Sequence, residues 1–186
     1  ICDKNDWLLM LDEIQTGNGR TGKYFAYQHT NIRPDVVTTA KGLGNGFPVG
    51  AVLTSGKAVG VLAAGNHGST YGGTALGSRV VCTVIDSLIG EAAIINASKI
   101  GQYLADEFSR RLSVHNVNVR GFGMMIGIEL PKDCADLVAR ARDEKQLILN
   151  VTAGNVVRLL PPLNLTQDQA DDLLNRLVPL IEDFLA

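Results

Sequence analysis

The sequence predicts an α/β protein, with a partial large domain that contains a mostly parallel sheet and a smaller C-terminal α+β domain. Two short runs support the parallel sheet: Leu8–Leu11 is apolar without interruption, and Val36–Thr39 is β-branched throughout. Such runs are typical of strands that are covered on both faces, as parallel strands are. From Asn116 onwards strand and helix patterns alternate again, which predicts the second domain.

The first half of the chain begins with the predicted strand Trp7–Glu13 and a glycine-rich turn. A short helix or turn, two strands and a further short helix are expected next, at Tyr24–His29, Val36–Thr39, Val49–Thr54 and Lys57–Ala64. A polar, glycine-rich loop follows at Asn66–Gly73, and the apolar segment Ala75–Ile89 predicts a helix with Thr74 as its cap.

A long helix is predicted over Glu91–Leu112, because four apolar residues recur four positions apart and form one face: Ile100, Leu104, Phe108 and Leu112. Beyond it we expect a strand, a helix and two strands joined by a hairpin turn, at Met124–Leu130, Asp133–Gln146, Leu147–Val151 and Val156–Leu160. Thr166 and Gln169 form a T-x-x-Q capping box that starts the last helix. Pro179 is expected to kink that helix.

The composition argues against several functional classes. The 186 residues are 46% hydrophobic and 19% charged, with a net charge of −2, so nucleic acid is not the expected partner. No apolar run approaches the length of a membrane span, and no signal-peptide pattern opens the sequence. Cys2, Cys82 and Cys134 are widely spaced, as expected of reduced thiols in a cytoplasmic protein. The three histidines lack zinc-ligand spacing, so no metal site is predicted.

Lys41 and Asp12 are the first candidates for chemistry. Lys41 directly follows the strand Val36–Ala40 and precedes a loop with three glycines, while Asp12 stands where the upstream strand ends. Ligands of open α/β sheets bind at the carboxyl ends of strands, so an amine and a carboxylate are expected to face one molecule there. We expect the lysine to point into a pocket and to lose solvation. This pair suits pyridoxal phosphate, which takes a lysine Schiff base and a carboxylate at its pyridine nitrogen.

One nucleotide-binding motif is matched in full and a second in part, and both are rejected on context. Gly17, Gly19 and Gly22 match the dinucleotide motif G-x-G-x-x-G, but Asp35 precedes the next strand instead of ending it. The segment from Gly17 to Lys23 nearly matches a phosphate-binding P-loop. Tyr24 stands where that loop needs a serine or threonine to hold magnesium.

Six blocks, in order, give the sequence a family resemblance. They are Leu11–Gly17, Gly19–Gly22, Pro34-Asp35, Ala40–Gly44, His67–Gly73 and Arg158–Leu163. Together they resemble the class III aminotransferases, pyridoxal-phosphate enzymes of fold type I. This resemblance implies that residues 1–90 are the C-terminal part of a large cofactor-binding domain, that 91–115 is a connecting helix, and that 116–186 is a small C-terminal domain. Because Ile1 leads almost directly into a buried-type strand, we expect a longer part to precede it.

The resemblance also implies roles for individual residues. Lys41 would bind the cofactor covalently and move the substrate's α-proton, and Asp12 would pair with the protonated pyridine nitrogen. Gln15 would lie near the ring's phenolic oxygen, with an ordinary loop glutamine as the alternative. Glu13 is expected to be a structural partner, and Arg20 a structural loop residue.

Three further residues are implied to bind phosphate or carboxylate groups. Ser69 and Thr70 precede a helix start and would bind the cofactor phosphate. Thr70 would bind the phosphate of the neighbouring subunit in a homodimer. Simple helix capping is the alternative for both residues. The family usually continues with Asn-Pro where this chain has Thr74-Ala75. Arg158 would clamp a substrate carboxylate through its bidentate fork, with an exposed ion pair as the alternative.

The implied reaction moves the terminal amino group of N-acetylornithine to 2-oxoglutarate, a step in arginine synthesis. Ornithine, succinylornithine or 4-aminobutyrate are alternative donors on the same scaffold. An aminomutase or racemase is a second enzyme class, and a non-catalytic fragment that only packs against a partner chain is a third possibility.

Overall fold

A computed structural model describes residues 1–186, which form two compact units. The first unit comprises Ile1–Gly19 and Lys23–Ala93, and the second comprises Arg20–Gly22 and Ile94–Ala186. No single helix is long and apolar enough to cross a membrane; only the helices Ala75–Gly90 and Ala93–Arg111 meet that test when they are counted together as one broken span.

The first unit is built on a three-stranded sheet in the order β1-β2-β3. Its strands are β1 (Met10–Asp12), β2 (Val36–Thr39) and β3 (Ala51–Thr54). β1 and β2 run parallel, whereas β2 and β3 run antiparallel. This part of the α/β sheet is therefore mixed, and the mostly parallel sheet expected from the sequence is seen only in the β1–β2 pair.

Two local expectations for the first unit were wrong. Leu8–Leu11 was expected to be covered on both faces, but Met10 is 67% exposed and Leu8 is 41% exposed. The helix expected at Lys57–Ala64 is only a 3₁₀ turn at Gly56–Ala58. Its extension is broken at Gly60, whose φ of +80° lies outside the helical region.

The helices of the first unit are a short α1 (Cys2–Asn5) and α2 (Ala75–Gly90). A 3₁₀ turn at Ala26–His29 occupies part of the region expected to be a short helix or turn. Thr74 caps α2 as expected, because its side-chain oxygen accepts a hydrogen bond from the Gly77 backbone N–H at 3.4 Å.

The second unit has an antiparallel sheet in the order β4-β5-β7-β6. The strands are β4 (Asn118–Phe122), β5 (Met125–Glu129), β6 (Asn150–Thr152) and β7 (Val156–Leu159). Its helices are α3 (Ala93–Arg111, which starts at the end of the first unit), α4 (Leu137–Lys145) and α5 (Gln167–Leu185). The unit combines helices with an antiparallel sheet, as expected of an α+β domain, although β4 was not predicted. The expected bounds of the connecting helix (91–115) and of the small domain (116–186) stay a prediction.

One side of this sheet and the helices enclose the main hydrophobic core. Ile100, Leu104, Phe108 and Leu112, the stripe predicted for α3, are at most 3% exposed. They pack with apolar residues of β5, β7 and α5, among them Ile126, Ile128, Val157, Leu174 and Ile181. At the start of α5 the capping box is present as predicted: Thr166 accepts from the Gln169 N–H and Gln169 accepts from the Thr166 N–H.

Candidate active site

The parallel pair β1 and β2 places Asp12 and Lys41 at the same edge of the first unit's sheet. Asp12 is the last residue of β1 and pairs in register with Thr38 of β2. Lys41 follows the end of β2 after a single intervening residue, Ala40. Because the strands are parallel, both residues emerge at the carboxyl ends, where ligands of α/β sheets bind.

The hydrogen bonds of Asp12 go to one carboxylate oxygen. Its Oδ1 accepts from the Thr38 hydroxyl at 3.1 Å and from the Ile14 backbone N–H at 3.0 Å. The Thr38 contact shows that both side chains lie on one face of the sheet, and Asp12 is exposed there. The arrangement fixes the orientation of the carboxylate and leaves Oδ2 for a cationic partner, which suits the protonated nitrogen of a pyridine ring.

Lys41 opens a 3₁₀ turn that spans Lys41–Leu43, and its backbone is left-handed, with φ of +46°. The Lys41 carbonyl accepts hydrogen bonds from the N–H groups of Gly44 and Asn45, at 3.1 and 3.2 Å. The side chain is exposed, whereas the sequence led us to expect a lysine withdrawn from solvent. None of the chain's ion pairs includes Lys41, and its covalent attachment to a cofactor stays a prediction.

The glycines after Lys41 make the tight loop possible, as the sequence predicted. A Cβ at Gly44 would lie 2.1 Å from the Phe47 carbonyl oxygen, far inside van der Waals contact. Gly46 has φ of +110°, a conformation that residues with a side chain rarely adopt. The loop that presents Lys41 therefore requires glycine at both positions.

Gln15 and Glu13 follow β1 but differ in their surroundings. Gln15 is exposed, and its proposed contact with the cofactor ring stays a prediction. Glu13 is 3% exposed and accepts hydrogen bonds from the Ala26 and Tyr27 backbone N–H groups, at 3.0 and 2.9 Å, and from the Thr16 hydroxyl. The Glu13 carboxylate thus caps the 3₁₀ turn at Ala26–His29, which agrees with the structural role expected for it.

Ser69 and Thr70 lie in an exposed loop before α2. Ser69 Oγ accepts a hydrogen bond from the Gly72 N–H at 3.1 Å, which closes a tight turn. Ser69 also lines a cavity of about 620 Å³ together with Gly73 and Thr74. The helix cap is Thr74, so capping of α2 does not account for Ser69 or Thr70, and a phosphate role for them stays a prediction.

Arg158 belongs to the second unit and lies in the centre of its sheet. It pairs in register with Gly127 on β5 and with Asn150 on β6. Its side chain is half-buried, and the buried Nε atom makes no hydrogen bond. Arg158 lines a cavity of about 530 Å³. Arg158 takes part in none of the chain's ion pairs, so the exposed ion pair considered as the alternative is not formed, and its binding of a substrate carboxylate stays a prediction.

Arg20 has the structural loop role expected from the sequence. Its Nη1 donates to the Pro161 carbonyl oxygen, and its own carbonyl accepts from the Met124 N–H at 2.9 Å. Burial lowers the pKa of the Arg20 guanidinium below its ordinary value. These contacts connect Arg20 to the rest of the second unit.

Sequence reasoning missed Asn18, which lies 4% exposed between two glycines. Its Nδ2 donates to Thr39 Oγ1 at 3.0 Å and to the Ala40 carbonyl at 3.1 Å. The only local signal was an asparagine in a glycine-rich turn, which is common in ordinary turns. Its partners are distant in sequence, so pattern analysis could not identify them.

Comparison with known proteins identifies the family. The family model for aminotransferase class-III matches residues 1–181. An acetylornithine aminotransferase from Nitrosomonas europaea is 49% identical over 187 aligned residues, which cover 100% of this chain and 47% of the relative.

Solved structures give the same result. An acetylornithine aminotransferase from Elizabethkingia anophelis aligns with a TM-score of 0.89 and 32% identity over 98% of this chain and 50% of that one. An ornithine aminotransferase from Plasmodium yoelii aligns with a TM-score of 0.91 and 34% identity, over 98% of this chain and 50% of that one. The chain therefore spans about half the length of the relatives it matches. With a family match across nearly all of its sequence, it belongs to the class-III aminotransferases.

Proposed function

We propose that this protein is a pyridoxal-phosphate-dependent aminotransferase that moves the terminal amino group of N-acetylornithine to 2-oxoglutarate. The placement of Asp12 and Lys41 at the ends of two paired parallel strands is the observation that supports this proposal most directly. The donor is suggested by relatives that are named acetylornithine aminotransferases. Pyridoxal phosphate is the cofactor of this family.

In the proposed reaction, Lys41 would hold the cofactor through its amine and, once that amine is free again, would move the proton at the substrate carbon that bears the amino group. Asp12, oriented by Thr38 and Ile14, would favour the protonated form of the pyridine nitrogen. The bound cofactor supplies an electron sink for the negative charge that develops at the substrate carbon.

The remaining candidates are assigned to binding. Gln15 would donate to the ring's phenolic oxygen, Ser69 would bind the cofactor phosphate, and Arg158 would bind a carboxylate of the amino-acid or keto-acid substrate. Thr70 would reach the phosphate of the neighbouring subunit, which would make a homodimer necessary for activity. We also place the protein in the cytoplasm and in arginine biosynthesis; its three cysteines are all free, in keeping with a reducing compartment.

The attachment residue can be tested by trapping. Reduction of the cofactor-loaded protein with borohydride, followed by peptide mass spectrometry, should place the pyridoxyl group on Lys41. Lys41→Ala should lower kcat by about 10²–10⁴-fold. Lys23 is another exposed lysine of the same unit, and Lys23→Ala should retain activity. A pyridoxyl group that remains on the Lys41→Ala protein would refute the assignment.

The donor can be tested by comparing kcat/KM for N-acetylornithine, ornithine, succinylornithine and 4-aminobutyrate with 2-oxoglutarate as acceptor. N-acetylornithine should give the highest value. Ornithine is the alternative that the likeness to the Plasmodium enzyme favours. A higher value for ornithine would leave the aminotransferase chemistry intact and change only the substrate.

A further inference from the structure

We infer that Asn18 is the positioning residue for Lys41: its buried side chain fixes the backbone on both sides of the lysine and so directs the amine. This inference rests on the proposed function, because it concerns the residue that holds the cofactor. Asn18 itself lies beneath the loop and is 4% exposed, so it acts through Lys41.

The first observation is the strained backbone of Lys41. A lysine with φ of +46° is unusual, since left-handed conformations are unfavourable for residues with a Cβ. Such conformations persist only where the surrounding structure holds them, and they are common at active sites. The 3₁₀ turn supplies part of the restraint, through the hydrogen bond from the Leu43 N–H to the Ala40 carbonyl at 2.9 Å.

Asn18 supplies the remaining restraint by binding the residues that precede Lys41. Its amide group donates to the Ala40 carbonyl and to the Thr39 hydroxyl oxygen, the last two residues before Lys41. A carbonyl oxygen can only accept, so the Ala40 contact fixes the orientation of the amide. A turned amide would set two oxygens against each other.

Asn18 also restrains the residue that follows Lys41. A Cβ at Gly42 would lie 3.2 Å from the Cβ of Asn18, so position 42 packs directly on this side chain. Lys41 is thus flanked by two residues that both contact Asn18. The asparagine has φ of +58°, a conformation that this residue type tolerates better than most.

The side-chain oxygen of Asn18 has no hydrogen-bond partner, which indicates that the side-chain N–H group is the part of the residue that matters. Oδ1 is buried without a hydrogen-bond partner, and a buried acceptor without a donor is unfavourable. An apolar side chain would avoid that cost but could not donate to Ala40. The donor group is therefore what position 18 contributes.

Two variants separate the contributions of Asn18. Asn18→Gly tolerates the left-handed backbone and removes both hydrogen bonds and the contact with Gly42. Asn18→Asp keeps the shape and replaces the donor with an acceptor. The control is Asn96→Ala, because Asn96 of α3 also donates two hydrogen bonds to backbone carbonyls, those of Leu163 and Leu165.

We expect each Asn18 variant to lower kcat by about 10–100-fold, the effect of a small misplacement of a reacting group, with KM for the amino donor changed less than about 3-fold. The midpoint of the pH titration of the bound cofactor's visible absorption band should also shift, because that band reports the Lys41–cofactor link. Asn96→Ala should lower the free energy of unfolding without either change.

The inference is overturned if the Asn18 variants have wild-type kcat and an unshifted titration, or if Asn96→Ala changes both quantities equally. If Asn18→Gly fails to fold, the same measurements on Asn18→Asp decide the matter. A pyridoxyl label on a lysine other than Lys41 in the wild-type protein is a different result, because it refutes the proposed function itself.

Discussion

At the scale of single residues, the backbone strain at Lys41 can be tested separately from the chemistry of its side chain. A left-handed residue with a Cβ costs about 1–2 kcal/mol relative to its usual conformation, and Lys41 has φ of +46°. Glycine adopts this conformation freely, although it loses more entropy on folding. The strain can therefore be measured by stability alone, without cofactor or substrate.

We predict that Lys41→Gly is more stable than Lys41→Ala by about 1 kcal/mol, measured by urea unfolding of the cofactor-free proteins. Lys23, for which no positive φ is found, provides the control: Lys23→Ala should be more stable than Lys23→Gly. An equal or lower stability of Lys41→Gly would show that the backbone at this position is not strained.

At the scale of elements, Gly101 shows how closely α3 approaches the turn between β4 and β5. A Cβ at Gly101 would lie 2.0 Å from the Gly123 carbonyl oxygen, so a side chain there requires backbone movement. Gly90, the last residue of α2, has nothing within 4 Å of the same added atom. The two glycines differ in packing but both belong to helices.

We predict that Gly101→Ala lowers the free energy of unfolding by about 1–3 kcal/mol, since overpacking exceeds the gain in helix propensity. Gly90→Ala should leave stability unchanged or raise it by up to about 1 kcal/mol. Thermal and urea unfolding of the two variants provide the measurement. A stabilising Gly101→Ala would mean that α3 does not approach the turn this closely.

The C-terminal end of α3 also predicts a pH dependence. Glu107 accepts hydrogen bonds from Arg110 and Arg111, which lower its pKa from 4.5 to about 2. Because the folded state favours the ionised carboxylate, its stabilising effect is complete above about pH 4.5 and is lost as the pH falls towards 2.

The difference in unfolding free energy between wild type and Glu107→Gln should therefore shrink as the pH is lowered through this range, as measured by urea unfolding at each pH. Glu91→Gln, which changes an exposed glutamate that takes part in none of the chain's ion pairs, is the matched control. A Glu107→Gln difference that stays constant with pH would contradict the mechanism.

Elements with a local signal could be predicted from the sequence, and elements that depend on distant partners could not. The α3 stripe and the α5 capping box follow from spacing within one segment. β4 was missed because Arg120 and Gly121, with its φ of +151°, interrupt any apolar alternation. The candidate site divides in the same way: Lys41 and Asp12 are found from strand ends, whereas Asn18 depends on contacts 21 and 22 positions away.

At the scale of the whole molecule, the two units differ in how much apolar surface they bury. The core cluster lies entirely in the second unit, between Ala97 and Ile181. The first unit buries only a few apolar residues, namely Phe25, Val37, Leu43, Ala58 and Ala93. Burial of apolar surface is the main source of stability, so the second unit should open less often.

Amide hydrogen exchange tests this difference, because it reports the free energy of local opening. We predict that amides of α3, β5 and α5 exchange at least about tenfold more slowly than those of β1 and β2, a gap of about 1.4 kcal/mol. Leu174→Ala removes a fully buried side chain and should cost about 2–5 kcal/mol. It should accelerate exchange in the second unit and leave β1 and β2 unchanged. Equal acceleration in both units would contradict this prediction, because the two units would then unfold together.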